Sequence, residues 1–159
     1  MKRNTFCSIK TFLVVLLLLT LASVNAQTSN QKYNKQLADS LGADEYGMKM
    51  YVLVILKSGR AIIKDKHLAD SLFLAHLKNI TKLAAEGKLV AAGPLQKNDK
   101  KYDGIFILNV RTTEAATILL ETDPAIKSKM LETELFQWYG SAALPLYLKF
   151  HDYVKKKDF

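Results

Sequence analysis

Short hydrophobic runs separated by polar turn segments fill the second half of the chain, and this pattern predicts four strands. Residues 48–56 form an apolar run rich in Val, Ile and Tyr that ends at a Lys-Ser-Gly turn signal, as a central strand does. The other predicted strands cover residues 88–95, 103–110 and 131–139. A polar loop joins the second strand to the third, which indicates an antiparallel hairpin.

Two helical segments lie between these strands. Between residues 65 and 86, apolar side chains recur every three or four positions, which predicts an amphipathic helix with Asp65 as its N-cap and a glycine at its end. Residues 112–122 have the Ala, Ile and Leu content of a second helix. Asp123 and Pro124 then have the sequence of an N-cap and first position, which predicts a further short helix.

The order of these elements predicts an α+β fold of the ferredoxin-like type. Strand, helix, strand, strand, helix, strand gives a four-stranded antiparallel sheet with both helices packed on one face. The other face then has no cover, and strands this apolar would expose a large hydrophobic patch. Pairing with a second copy through that face buries the patch, so we predict a homodimer.

The N-terminal residues 1–26 have the features of an export signal. A basic start precedes an apolar run over residues 11–22, and Val24-Asn25-Ala26 has the small residues of a cleavage site, so we expect cleavage before Gln27. The apolar run is too short to span a bilayer comfortably, and we expect no stable membrane span after cleavage. The protein is therefore expected to be exported, to the periplasm or the extracellular space.

The remaining chain divides into two parts. Residues 27–47 are a polar lead segment with one helical turn expected around residues 35–41, and residues 48–159 are the predicted domain. Its C-terminal tail, from residue 144, carries scattered aromatic and aliphatic residues after Pro145 and is expected to be helical.

Composition excludes several classes of function. The only cysteine, Cys7, lies in the signal, so the processed chain has no disulfide, no thiolate catalyst and no cysteine metal site. The net charge is +8, but three of the 23 basic residues and none of the 15 acidic ones precede residue 27, which leaves 20 against 15, or +5. The lysines form no basic stripe with interleaved aromatics, so nucleic-acid binding is not expected. No metal-ligand spacing and no phosphate-binding glycine loop is present.

One histidine stands out among the polar residues because of its position on the first long helix. His76 lies four residues after Leu72 and four before Ile80, which places it at or beside the core-facing stripe. A histidine there is more often a packing residue than a catalyst. An aspartate that accepts from one ring nitrogen would fix the tautomer and direct the other nitrogen at a ligand.

Three stretches of the chain resemble the YCII-related domains, small members of the dimeric α+β barrel group. They are HLKNITKLAAEGKLVAAGPL from His76, DGIFILNV from Asp103, and the run from residue 113 to Asp123-Pro124; the resemblance extends over residues 51–138. It implies the predicted fold, paired as a dimeric α+β barrel. It also implies that His76 and Asp123 form a functional pair.

Five further residues are candidates for substrate binding. Gly93 and Pro94 end a strand and allow a ligand to approach the backbone, and Asp103 opens a turn at the same end of the sheet. Phe106 and Trp138 are candidate walls of an apolar pocket, although packing is the simpler interpretation for the tryptophan.

The leading functional hypothesis is a small-molecule enzyme of the isomerase or lyase type. His76 would act as acid and base and Asp123 would orient it, on a cyclic or carbonyl-bearing organic molecule and with no cofactor. Two alternatives stay open. One is a non-catalytic module that binds a small ligand, and the other is a haem-binding barrel with His76 as axial ligand, as in some members of the wider barrel group.

Overall fold

The computed structural model describes residues 30–157, and the predicted export signal lies outside this range. Within it the elements follow in the predicted order. The strands are β1 (Met48–Ser58), β2 (Leu89–Pro94), β3 (Tyr102–Leu108) and β4 (Leu131–Ser141). The helices are α1 (Lys35–Leu41), α2 (Lys66–Ala85), α3 (Thr113–Leu120), α4 (Pro124–Lys127) and α5 (Leu148–Val154), with a 3-10 turn at Leu144–Tyr147.

The four strands form one antiparallel sheet in the order β2-β3-β1-β4. β1 lies in the centre, where Val54 pairs with Phe106 of β3 and with Leu135 of β4. The two edges are β2 and β4, and β2 and β3 form the predicted hairpin. This topology confirms the ferredoxin-like α+β fold.

The hydrophobic core lies on one face of the sheet, under helices α2, α3 and α4. Every second residue of β1 from Val52 to Leu56 is buried, as expected of a strand with one face covered. The helices add apolar side chains from above, so that sheet and helices share one cluster. Its buried members are Val52, Val54, Leu56, Leu83, Leu89, Phe106, Leu108, Ala116, Leu120 and Ile126.

The helix starts are where the sequence places them. The Asp65 carboxylate accepts hydrogen bonds from the backbone N–H groups of His67 and Leu68, at 2.9 and 3.4 Å, and so caps α2. Thr112 caps α3 through a 3.2 Å hydrogen bond from the N–H of Ala115. At the end of α2 the backbone of Gly87 has φ +67°, a left-handed conformation that glycine adopts without strain.

Residues that precede β1 are tied to the sheet by a carboxylate. Asp44 accepts hydrogen bonds from the backbone of Tyr46 and Met48, at 2.9 and 3.0 Å, and from the hydroxyl of Tyr139 on β4. The bond to Asp44 raises the pKa of Tyr139 to about 12.

In the tail, the expected terminal helix is divided, because Pro145 lies in the 3-10 turn that precedes α5. Across residues 30–157, no helix has the length and apolar character needed to cross a membrane.

Candidate functional site

Three polar side chains are buried among residues 30–157, and they lie together. His76, Asn79 and Asp123 are 6%, 8% and 1% exposed, and each is within hydrogen-bond distance of another member of the group. They come from two elements: His76 and Asn79 are one turn apart on α2, and Asp123 is the N-cap of α4. The helical spacing of α2 places His76 and Asn79 on one face, and the capping position of Asp123 brings the carboxylate to the same point of the fold.

The imidazole and the carboxylate form a direct pair. Nδ1 of His76 lies 2.7 Å from Oδ2 of Asp123. The other carboxylate oxygen, Oδ1, accepts a 2.9 Å hydrogen bond from the backbone N–H of Ala125, and the amide of Asn79 donates to Oδ2 over 3.5 Å. The backbone and amide neighbours are both donors, so the two carboxylate oxygens are their acceptors. The tautomer with its hydrogen on Nδ1 donates to Oδ2 and has its lone pair on Nε2.

The second ring nitrogen keeps contact with solvent. Nε2 of His76 has no hydrogen-bond partner in the described part of the chain, and no fully buried side-chain nitrogen or oxygen there lacks one. Nε2 must therefore reach the surface of the packed site. A lone pair held at the edge of a buried pair is placed to exchange a proton with a ligand.

Two aromatic rings flank the imidazole. The Phe106 ring, on β3, lies 5.8 Å from it between centroids at an interplanar angle of 20°, and the Phe73 ring, one turn earlier on α2, lies 6.2 Å away at 30°. These near-parallel arrangements hold the ring plane of His76. Phe73 is about half exposed, so it extends the apolar surface from the pair to the outside of the protein.

The site contains two residues that sequence reasoning missed. Asn79 contacts Asp123, and the Thr122 hydroxyl oxygen lies 2.6 Å from the backbone carbonyl oxygen of Leu119 and 3.2 Å from the side-chain oxygen of Asn79, so its single hydrogen serves these two acceptors. A signal for Asn79 exists in the sequence, because it lies three residues after His76 and therefore on the same helix face. Thr122 offers no signal beyond its position next to Asp123.

The predicted substrate-binding residues are only partly brought together. Phe106 lies beside His76, as described above. Trp138 does not: it pairs with Tyr51 of β1, whereas Phe106 pairs with Val54, an odd number of residues away. Successive side chains point to opposite faces of a sheet, so Trp138 is on the open face, where its ring packs 5.6 Å from that of Tyr51.

Gly93, Pro94 and Asp103 have backbone and loop roles. A side chain at Gly104 would lie 2.9 Å from the carbonyl oxygen of Gly93, so the absence of one lets β2 and β3 approach. Pro94 pairs with Gly104 at the end of this ladder. Asp103 is exposed and accepts a 2.9 Å hydrogen bond from the hydroxyl of Ser58. Their roles in ligand binding stay predictions.

Metal ligands do not converge in the described residues. No group of three or more His, Cys, Asp or Glu side chains in the range 30–157 is placed to hold a metal ion. Haem ligation by His76 would have to use Nε2, because Asp123 engages Nδ1. The haem hypothesis stays a prediction.

Comparison with known proteins gives one family and one structure of interest. The model of the YCII-related domain matches residues 50–139. A solved structure, the 5-chloro-2-hydroxyhydroquinone dehydrochlorinase of Burkholderia phenoliruptrix AC1100 in complex with 2,5-dihydroxybenzoquinone, is 20% identical in sequence and has a TM-score of 0.39. The match covers 55% of this chain and 92% of the dehydrochlorinase chain. No curated protein matches the sequence.

Proposed function

Since this chain belongs to the YCII-related domain family, we propose that its His76–Asp123 pair transfers protons in an enzyme acting on a small organic molecule. The reaction type that fits is isomerisation or elimination. The observation that carries this proposal is the 2.7 Å contact between Nδ1 and a buried carboxylate, with Nε2 free of hydrogen-bond partners among the described residues.

The energetics of the pair support a role beyond packing. Burial of an ionised carboxylate costs stability, and a well-packed apolar pair of similar volume is often as stable or more so. A cap for α4 needs only the bond from Ala125 to Oδ1, which an exposed aspartate makes equally well, as Asp65 does at α2. The second oxygen and the imidazole are not needed for capping. Proton transfer uses both of these groups, because the imidazole carries the proton and the second carboxylate oxygen orients the imidazole.

In the proposed reaction, Nε2 takes a proton from a carbon next to a carbonyl group. The electron pair of the broken C–H bond moves into an enolate, and the ionised Asp123 stabilises the imidazolium that forms. The proton is then returned to a different atom, which isomerises the molecule, or to a leaving group, which departs as the enolate collapses. The flanking ring of Phe73 favours a flat, largely apolar substrate.

The proposal is tested by solvent deuterium exchange, which detects cleavage of the C–H bond whatever product follows. The processed protein is incubated in D₂O with a panel of cyclic and open-chain carbonyl compounds, and loss of the α-proton signal is followed by NMR. We expect exchange above the buffer rate for at least one class of compound. Tight binding across the panel without any exchange would instead support the non-catalytic ligand-binding module.

We also propose that the protein is a homodimer formed through the open face of the sheet. The core cluster under the helices lies on the opposite face, and here apolar side chains line up across three strands because Leu53 pairs with both Ile107 and Phe136. The apolar residues of this face include Leu53, Ile55, Ile105, Ile107, Phe136 and Trp138. A second copy covers such a patch with the same patch.

Replacing Phe136 with Glu is expected to convert the dimer to a monomer, because it places a charge in the centre of the apolar contact. Phe136 is 50% exposed in the single chain, so the change leaves the monomer core intact. Sedimentation velocity measures the result. Ile118→Glu is the matched control, since Ile118 is 68% exposed on α3 of the helix layer and its replacement should leave the dimer unchanged. A wild-type protein that sediments as a monomer contradicts the proposal.

Export is proposed from the N-terminal residues 1–26, and it has a direct test. Expressed in a bacterium with a periplasm, the protein should be recovered there with Gln27 as its first residue by mass spectrometry. Ala26→Arg should block processing, because the residue before the cleaved bond must be small. Asn25→Gln, at the neighbouring tolerant position, should be processed normally. Recovery of the full-length wild-type chain from the cytoplasm is the opposite result.

A further inference from the structure

A second site of unusual charge lies at the end of the sheet where β2 turns into β3. The loop between these strands and the end of β1 enclose an open hollow of about 560 Å³. Neither His76 nor Asp123 lines it. Its charged lining residues are Lys57, Lys97, Lys100, Lys101 and Asp103, and we call it the lysine hollow.

Most of the positive charge in the lysine hollow is not neutralised. Lys57 forms a 2.7 Å ion pair with Glu134, and this bond lowers the pKa of the glutamate. The other three lysines of the hollow form no ion pair with any carboxylate in residues 30–157. Asp103, the one acid in the lining, accepts a hydrogen bond from the Ser58 hydroxyl. Three lysines without an ion-pair partner among the described residues therefore line one hollow with a single carboxylate, while Asp99 of the same loop does not line it.

The loop that carries these lysines is ordered by one asparagine. The side-chain amide of Asn98 donates to the carbonyls of Gln96 and Tyr102, at 2.9 and 2.8 Å, and its oxygen accepts from the N–H of Tyr102 at 3.1 Å. The backbone of Lys101 is held at φ +56°, a conformation that lysine rarely adopts. The backbone that carries the three lysines is thus closed by the hydrogen bonds of Asn98.

We propose that the lysine hollow binds a small ligand through its phosphate groups. Lysine ammonium groups bind phosphate oxygens as point charges with several donors each, and three unpaired ones match a ligand with more than one negative charge. Leu95 adds an apolar wall to the hollow, which fits a phosphate group joined to an organic part. The site is separate from the His76–Asp123 pair and does not depend on its chemistry.

Calorimetric titration with inorganic pyrophosphate tests the proposal on the processed protein at low salt. We expect one site per chain, and we expect Lys97→Gln/Lys100→Gln to weaken it about tenfold, since two charge-assisted contacts are lost. The matched control is Lys156→Gln/Lys157→Gln, which removes the same charge from exposed tail residues outside the hollow. Equal weakening by both double variants would overturn the site in favour of diffuse surface charge.

A second variant tests whether binding depends on the ordered loop or only on the total positive charge of the lysines. Asn98→Ala keeps every charge but removes the three hydrogen bonds that close the loop, so pyrophosphate binding should weaken while net charge stays the same. Binding by Asn98→Ala at wild-type strength would contradict an ordered site.

Titration with citrate provides the comparison of ligand class: tighter binding of citrate than of pyrophosphate would overturn the assignment to phosphate. Deuterium exchange measured in parallel reports on His76 independently.

Discussion

Replacing His76 with Gln is expected to reduce enzyme-dependent proton exchange by about 10²- to 10⁴-fold, the usual contribution of a positioned acid–base group. Glutamine retains hydrogen-bonding capacity at the position but cannot carry the proton between solvent and substrate. Deuterium exchange at the substrate carbon measures the loss. Binding of the same compound should change little, because the half-exposed ring of Phe73 remains beside the position.

The exposed histidines provide the matched controls for this experiment. His67, at the start of α2, and His151, in α5, are both exposed, and their replacement by Gln should leave exchange at the wild-type rate. Equal rates for the wild type and His76→Gln would exclude acid–base catalysis by His76. The site would then be interpreted as a ligand-binding surface.

Asp123→Asn addresses the orienting role of the carboxylate separately from the base. The amide oxygen can still cap α4 by accepting from Ala125, but its NH₂ group then faces Nδ1 of His76 and forces the hydrogen to Nε2. The lone pair is then on the wrong nitrogen, and a loss of up to about 10⁴-fold in exchange is expected from comparable triads. A folded Asp123→Asn protein with full activity would contradict this role.

Asp123→Ala is expected to be the most destabilising single change among the site residues. It removes the cap of α4, which costs about 1 kcal/mol, and leaves the buried Nδ1 of His76 without its acceptor, which costs about 1–3 kcal/mol more. The free energy of unfolding should therefore fall by about 3 kcal/mol. Urea denaturation of the wild type and the variant measures the difference.

Asp65→Ala is the matched control, because Asp65 caps α2 in the same way but is exposed and has no buried partner. It should cost only the cap, about 1 kcal/mol. Similar losses for the two variants would show that the His76–Asp123 contact adds nothing to stability. The comparison thus separates the capping role of an aspartate from its role as the partner of a buried imidazole.

The sequence predicts the fold well because most of its signals are local. The start of α2 at Asp65 and the Asp123-Pro124 start of α4 are read from residues within one helical turn, and both caps are confirmed. Strand ends differ from the predicted ones by a few residues. The last of them, β4, runs to Ser141 because pairing with β1 continues as far as Met48.

The faces of the strands are less accessible to sequence reasoning. In β4 polar and apolar residues do not alternate strictly, so the pattern does not assign Trp138 to a face. Its face is decided by its pairing with Tyr51, because a shift of one residue would move every side chain of the strand to the other side. For this reason the sequence places Trp138 among the candidate pocket walls, whereas the residue lies on the open face.

By itself, then, the sequence determined the order of elements, the helix caps and the position of His76 on the buried side of α2. These follow from spacings of a few residues. The family resemblance implied the pairing of His76 with Asp123, but only the tertiary structure decided that the two meet at 2.7 Å, that Asn79 joins them, and that the loop lysines line one hollow. Each of these contacts joins residues that only the packing of helices on the sheet, or the closing of a loop, brings together.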